Sequence, residues 1–257
     1  MLTDGVCEIS NVPNITDVHL LIEMMKILGS HIEFKNGCLH IDNRNAHNDK
    51  IDTNYASKLR ASYYFMGVLL SKYGKAEIAY PGGCVIGSRP INFHIEGFKK
   101  LGAKVEIEED NKYLITAEKL VGTDIFFDIA SVGATLNIMF AAVKAEGTTR
   151  IFNAAKEPEI VNVASFLNTM GAKVYGAGTS QITIEGVSEL HDGIVEVIPD
   201  RIEAGTYIMM GSLLGNNLEI KGVLKEHLGA VLTKLQEVGC KFIYKDNSII
   251  VNKTELL

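Results

Sequence analysis

The residues best placed to do chemistry lie in one stretch, Pro81-Gly82-Gly83-Cys84-Val85-Ile86-Gly87-Ser88-Arg89-Pro90. It follows an apolar strand expected over Ala76 to Tyr80 and precedes a helix expected over Ile91 to Leu101. Three glycines and a leading proline continue neither a strand nor a helix, so a sharply bending loop is expected. Pro90 suits the first turn of the following helix, where a missing N–H costs nothing. A thiol in such a loop, five residues from a guanidinium that opens a helix, is a reactive arrangement. Arg89 and the helix N-terminus both favour anions, so a phosphate could dock beside the sulfur. The plainer alternative is a tight βα turn with an inert cysteine, and spacing alone leaves both open.

Composition bounds the function classes. The 257 residues suffice for one large or two smaller domains, each with its own core. Hydrophobic residues at 47% and charged residues at 22% are ordinary globular usage. A net charge of −6 argues against nucleic-acid and anionic-membrane partners, so any phosphate site must use local basic residues. Cys7, Cys38, Cys84 and Cys240 are scattered, with no CxxC pair and no secretory leader ahead of them, which predicts free thiols in the cytoplasm. No apolar run reaches the length of a membrane span. The seven histidines include no i,i+4 pair and no HExxH, so no metal is expected.

The elements that position these residues repeat along the chain. Leu28-Gly29-Ser30, Leu101-Gly102-Ala103, Met170-Gly171-Ala172 and Val238-Gly239-Cys240 each end an amphipathic helix, at glycine spacings of 73, 69 and 68. Glycine there suits a left-handed C′ cap. The helices run Asp17 to Leu28, Ile91 to Leu101, Glu159 to Met170 and Lys225 to Val238, each after a strand and before an alternating strand pair. A second series, Arg60-Ala61-Ser62, Gly133-Ala134-Thr135 and Ala204-Gly205-Thr206, recurs at intervals of 73 and 71. Each begins an apolar helix: Tyr63 to Leu70, Leu136 to Val143, Tyr207 to Leu214. Helices apolar nearly all round are expected to be buried. The unit is βαβαββ, with helices inside and sheets outside. Three units are expected over residues 1–198, the first without its leading strand and buried helix, and a single unit over 199–257. That last unit should expose Tyr207, Ile208, Met209 and Leu213 for want of packing partners.

The loop Pro-Gly-Gly-Cys-x-Ile-Gly-x-Arg-Pro, followed by Ile91-Asn92-Phe93-His94, resembles the active-site loop of the UDP-N-acetylglucosamine 1-carboxyvinyltransferase family. Ser131-Val132-Gly133-Ala134-Thr135, the segment Asn153 to Ile160, and Asp200 to Thr206 resemble the same family's motifs in the same order. The resemblance covers the whole chain. It implies an α/β fold, the inside-out enolpyruvyl-transferase barrel, in two domains of three repeats each.

It also implies roles. Cys84 matches the acid that protonates the methylene carbon of phosphoenolpyruvate; an ordinary thiol pKa of about 8.5 suits that task. Arg60 and Arg89 match the arginines near the phosphates. Arg89, Pro90, Ile91, Asn92 and Phe93, with Ser131, Val132 and Gly133, match segments that contact the nucleotide sugar. His94 is a further candidate, as a positioner of the loop or as a packed histidine. Ile129 stands where one family variant has a lysine. Asp200 is expected to cap its helix. The family's Lys-Asn pair, its catalytic aspartate and its later arginines have no counterpart in this sequence.

The implied reaction moves the enolpyruvyl group from phosphoenolpyruvate to the 3-hydroxyl of UDP-N-acetylglucosamine, without metal or organic cofactor. A complementing chain supplying the missing segments is a further expected partner. A non-catalytic nucleotide-sugar-binding remnant and a shikimate-pathway enolpyruvyl transferase are the alternatives, and the cysteine loop argues against the latter.

Overall fold

The computed structural model of the chain describes residues 1–51, 53–80, 82, 90–108 and 112–254. It separates into two compact units, Met1–Val197 and Ile198–Leu257.

The first unit opens with β1 (Val6–Ser10), α1 (Thr16–Ile27), β2 (His31–Lys35) and β3 (Cys38–Asp42). A second run holds β4 (Lys50–Ile51), the short α2 (Thr53–Ala56), and a 3-10 helix at Arg60–Tyr63 that leads into α3 (Tyr64–Tyr73). It continues through β5 (Lys75–Ala79), α4 (Asn92–Lys100), β6 (Lys104–Ile107) and β7 (Lys112–Thr116). The third holds β8 (Asp124–Phe126), α5 (Val132–Ala142), β9 (Thr148–Phe152), α6 (Pro158–Thr169), β10 (Lys173–Tyr175) and β11 (Gln181–Glu185). The strand β12 (Gly193–Glu196) ends the unit.

Three sheets share one plan. Their orders are β12-β1-β3-β2, β4-β5-β7-β6 and β8-β9-β11-β10. In each, the first pair is parallel and the others are antiparallel. The expectation that the first repeat lacks a leading strand is therefore corrected. β12 takes that place, with Cys7 opposite Gly193 and Ser10 opposite Glu196. The buried helix is another matter: α3 follows β4 and α5 follows β8, but among the described residues no helix connects β12 to β1.

The four marker glycines do what their spacing predicts. Gly29, Gly102, Gly171 and Gly239 have φ of 99°, 99°, 93° and 98°. Each donates its N–H to the carbonyl three residues back, and the next residue donates to the carbonyl five back, as in Ser30 to Met25 and Cys240 to Leu235. That double bond pattern is a Schellman cap, and it turns the chain from helix into the following strand.

α5 is the centre of the first unit. Nine of its eleven residues are buried. It packs against α3 and α4 through small residues: a Cβ on Gly67 would run into the Asn137 carbonyl, and one on Gly97 into Ile138. α5 begins at Val132, ahead of the expected Leu136, because the Ser131 hydroxyl accepts the Ala134 N–H at 3.3 Å. The sheets keep an outer face, where Ile107, Phe126 and Ile194 are exposed.

The second unit has α7 (Arg201–Leu214), β13 (Leu218–Lys221), a 3-10 helix at Lys225–Leu228, α8 (Gly229–Glu237), β14 (Phe242–Lys245) and β15 (Ser248–Val251). Its sheet has the order β13-β15-β14. A small core of Ala204, Ile208, Val223, Leu228, Leu232 and Ile249 holds it together. Tyr207, Met209 and Leu213 are exposed, as expected of a repeat without its packing partners, and Met210 and Leu214 are exposed with them. Ile208, expected to be exposed with them, is instead fully buried, because it lies on the stripe of α7 that faces β13, β15 and the 3-10 helix.

Candidate active site

The starts of the 3-10 helix and α3, of α4, and of α5 come together in the first unit. Gly133, the second residue of α5, marks the point: a Cβ there would lie 2.7 Å from the Tyr63 hydroxyl and 3.0 Å from His94 Cε1. A side chain there would press on both rings, so glycine eases the approach of the three elements. Arg60 opens the 3-10 helix, and its guanidinium lies 5.5 Å from the centre of the Tyr63 ring. The Tyr63 ring meets the His94 ring edge to face, with centroids 4.9 Å apart. Arg60, His94, Ser131, Val132 and Gly133, read from sequence as site residues, thus share one locality with Tyr63.

Each has a structural reason for its place. Ser131 is the N-cap of α5 and leaves the first-turn N–H groups of that helix pointing out of its end. Val132 is half-buried and Gly133 buried. Ahead of α4, Pro90 is exposed and Ile91 is buried in the core. Asn92 is exposed, and Phe93 packs on Phe127 with ring centres 6.0 Å apart. Cys84 and Arg89, with most of the expected cysteine loop, lie outside the described residues. Ile129 is exposed.

His94 is 5% exposed. Burial, and next the nearby Arg60 charge, push its pKa down to about 4, so the imidazole is neutral at physiological pH. Asn137 of α5 holds it. The Asn137 amide nitrogen donates to His94 Nδ1 at 2.8 Å and to the Tyr63 carbonyl at 3.0 Å. The Asn137 oxygen accepts from the Gly67 N–H at 2.9 Å. Sequence reasoning missed Tyr63 and Asn137. Tyr63 was read as the first residue of a buried helix. Asn137 carried a usable signal, an amide in the middle of an otherwise apolar helix, where it must find partners.

The Asn153–Ile160 motif is fixed to the same helix. The Ala155 N–H donates to Thr135 Oγ1 of α5 at 3.1 Å, and Asn153, with φ of 55°, donates from its side chain to the Phe127 carbonyl. Asp200 caps α7, accepting from the N–H groups of Ile202 and Glu203 at 2.7 and 3.1 Å. Of the other thiols, Cys7 and Cys240 are buried, and burial raises the pKa of Cys7. No group of three or more His, Cys, Asp or Glu side chains that could hold a metal occurs among the described residues. No helix among them is long and apolar enough to cross a membrane.

Known proteins share this architecture. A UDP-N-acetylglucosamine 1-carboxyvinyltransferase of Clostridium botulinum is 47% identical, the match taking in 98% of this chain and 60% of that protein. A UDP-N-acetylglucosamine 1-carboxyvinyltransferase 2 of Streptococcus pyogenes is 45% identical over 100% of this chain and 62% of its own length. The chain thus spans about 60% of the length of these curated relatives. Among solved structures, the enolpyruvyl transferase NikO from Streptomyces tendae superposes with a TM-score of 0.86 at 20% identity, covering 98% of this chain and 61% of that one. EPSP synthase from Acinetobacter baumannii superposes with a TM-score of 0.71 at 18% identity, covering 98% of this chain and 60% of that one. These likenesses establish the mixed α/β enolpyruvyl-transferase fold. Residues 1–256 match the EPSP synthase (3-phosphoshikimate 1-carboxyvinyltransferase) family, and the chain belongs to it.

Proposed function

We propose that this chain is the cysteine-loop part of an enzyme that transfers the enolpyruvyl group from phosphoenolpyruvate to the 3-hydroxyl of UDP-N-acetylglucosamine, releasing phosphate, in cytoplasmic peptidoglycan synthesis. The observation that carries the reading is the meeting of Arg60, Tyr63, His94 and the α5 N-terminus around Gly133. It occurs in a chain whose relatives of that name are 45–47% identical over nearly all its length.

The geometry supports binding of an anion such as the diphosphate. Arg60 brings a permanent positive charge, and the amides of Ser131 to Gly133 sit at a helix end, where N–H groups and the helix dipole favour negative charge. Arg89 adds a second guanidinium in this reading, and Pro90 to Phe93 hold the sugar side. Cys84 is the proton donor to the methylene carbon. The second unit, with one sheet and two α-helices, corresponds in this reading to one repeat of a second domain. The remaining repeats would face the first domain across the substrate cleft, so normal turnover is not expected of the chain alone.

The test is a titration of the 15N-labelled chain with UDP-N-acetylglucosamine and, separately, with shikimate 3-phosphate. Amide shifts at Arg60 and Ser131 to Ala134 with the nucleotide sugar, weakened by Arg60→Ala, are expected. A response to shikimate 3-phosphate instead would overturn the substrate assignment. Phosphate release from both substrates, with Cys84→Ala as control, reads the catalytic half.

A further inference from the structure

We infer that Asn137 is a positioning residue that locks His94 as a neutral imidazole protonated on Nε2, a fixed hydrogen-bond donor at the site rather than an acid–base group.

The inference begins with the orientation of one buried amide. The oxygen and nitrogen of an asparagine side chain look alike, so its partners must assign them. Here the partners are unambiguous. A backbone N–H only donates, so the atom facing Gly67 N at 2.9 Å is the Asn137 oxygen. A backbone carbonyl only accepts, so the atom 3.0 Å from the Tyr63 oxygen is the Asn137 nitrogen. These two backbone groups belong to one turn, four residues apart, at the junction of the 3-10 helix and α3. That turn fixes the amide from both sides.

The second hydrogen of the same nitrogen points at His94 Nδ1, 2.8 Å away. Nδ1 must then present its lone pair, and the ring proton must sit on Nε2. Adding a proton to Nδ1 would set N–H against N–H in a site where both residues are buried. The groups facing the ring agree. From the 3-10 helix come Arg60, a cation that opposes a second positive charge, and Tyr63, whose ring packs on the imidazole. From α5 come Gly133 and Asn137, which carry no charge. Among the described residues Nε2 has no hydrogen-bond partner. In the proposed site it would give its hydrogen to an oxygen of a bound ligand, and its donor character does not vary across the physiological pH range. That last use rests on the function proposed above; the lock itself does not.

Long-range 1H–15N correlation spectra of the histidine-labelled chain test the lock without any substrate. His94 is assigned by its loss in His94→Gln. The expected signature is a pyridine-type Nδ1 and a pyrrole-type Nε2, unchanged from pH 8 to pH 5. Nδ1–H, or protonation near an ordinary histidine pKa, would overturn the inference in the unmodified chain, whatever any variant does. In Asn137→Asp the acceptor-only carboxylate should draw the proton to Nδ1 or charge the ring. Asn137→Ser, which is smaller and leaves Nδ1 without its donor, should give a mixed tautomer. An unchanged His94 signature in either folded variant would show that Asn137 does not set it. Adding UDP-N-acetylglucosamine separates the two claims. A shift of the Nε2 resonance supports the donor role, and an unmoved Nε2 with ligand bound overturns it. Absence of binding overturns the proposed function and leaves the tautomer result standing.

Discussion

α5 and α7 are built by the same local rules and end in different surroundings. Both begin with a polar N-cap, Ser131 or Asp200, and both carry small residues in the next turn, Gly133-Ala134-Thr135 and Ala204-Gly205-Thr206. Yet nine of the eleven residues of α5 are buried and only five of the fourteen in α7. In the first unit three sheets surround the helices; in the second one sheet covers a single stripe. Helix formation is thus decided locally and burial by how many repeats assemble. A repeat whose apolar helix meets only its own sheet keeps a large part of its apolar surface in water.

The largest expected effect breaks the comparison at its strong end. Ile138 is fully buried in α5. Ile138→Ala should destabilise the first unit by about 2–5 kcal/mol, from lost transfer energy and the cavity left behind. Denaturant unfolding followed by hydrogen exchange will show whether the loss is confined to residues 1–197. Exchange in the unmodified chain should already rank the two helices, with α7 amides opening at lower free energy than those of α5. Equal protection would mean that α7 is covered.

His94 supplies the next effect, and it is pH-dependent. Its pKa is lowered from 6.5 to about 4. In that window the unfolded chain binds a proton that the folded chain does not. Stability from this group is therefore present above pH 6.5 and lost as pH falls toward 4. A shift of that size corresponds to roughly 3 kcal/mol at most, at about 1.4 kcal/mol per pH unit. Urea midpoints of the first unit at pH 7 and pH 4.5, compared with His94→Gln, should differ in slope. Identical pH profiles would show that His94 titrates alike folded and unfolded.

Much of this contrast was legible in the sequence, for a physical reason. Glycine at C′ answers a local steric demand, so Gly29, Gly102, Gly171 and Gly239 mark helix ends without knowledge of the rest of the fold. Patterning likewise gave the βαβαββ unit. What stayed hidden was non-local. The pairing of β12 with β1 joins residues 186 apart, such as Cys7 and Gly193, and no periodicity reports it. Ile208 was misjudged because composition says that α7 is apolar, not which stripe meets β15. At the site, Arg60, Ser131 and Gly133 were legible as motif members. Tyr63 and Asn137 were not, because their importance lies in what α3 and α4 bring beside them.

A smaller effect separates the caps. Asp200 accepts two N–H groups in the first turn of α7, while the Ser131 hydroxyl accepts one at 3.3 Å. Asp200→Ala should cost about 1 kcal/mol, within the usual range for a lost N-cap. The cost should fall on the second unit and fray α7 from its start. An unchanged exchange rate at Ile202 and Glu203 would remove Asp200 from the account of that helix.

The smallest expected effect is the sharpest test of the comparison. Leu214 closes α7 with 77% of its surface exposed. A side chain that gains no burial on folding adds little to stability, so Leu214→Ser should change it by no more than about 0.5 kcal/mol. The same logic forbids a small result at Leu136 of α5, which is buried: Leu136→Ser would both empty a cavity and bury a hydroxyl. Midpoints for Leu214→Ser are best measured over a range of protein concentrations. If α7 stands bare, the variant and the unmodified chain unfold alike at every concentration. If a second copy of the chain covers the face, the unmodified chain gains stability with concentration and the variant loses that gain, because association stabilises the folded state by mass action. A concentration-dependent difference of 1 kcal/mol or more would mean that the bare face of α7 belongs to the isolated chain and is covered in solution.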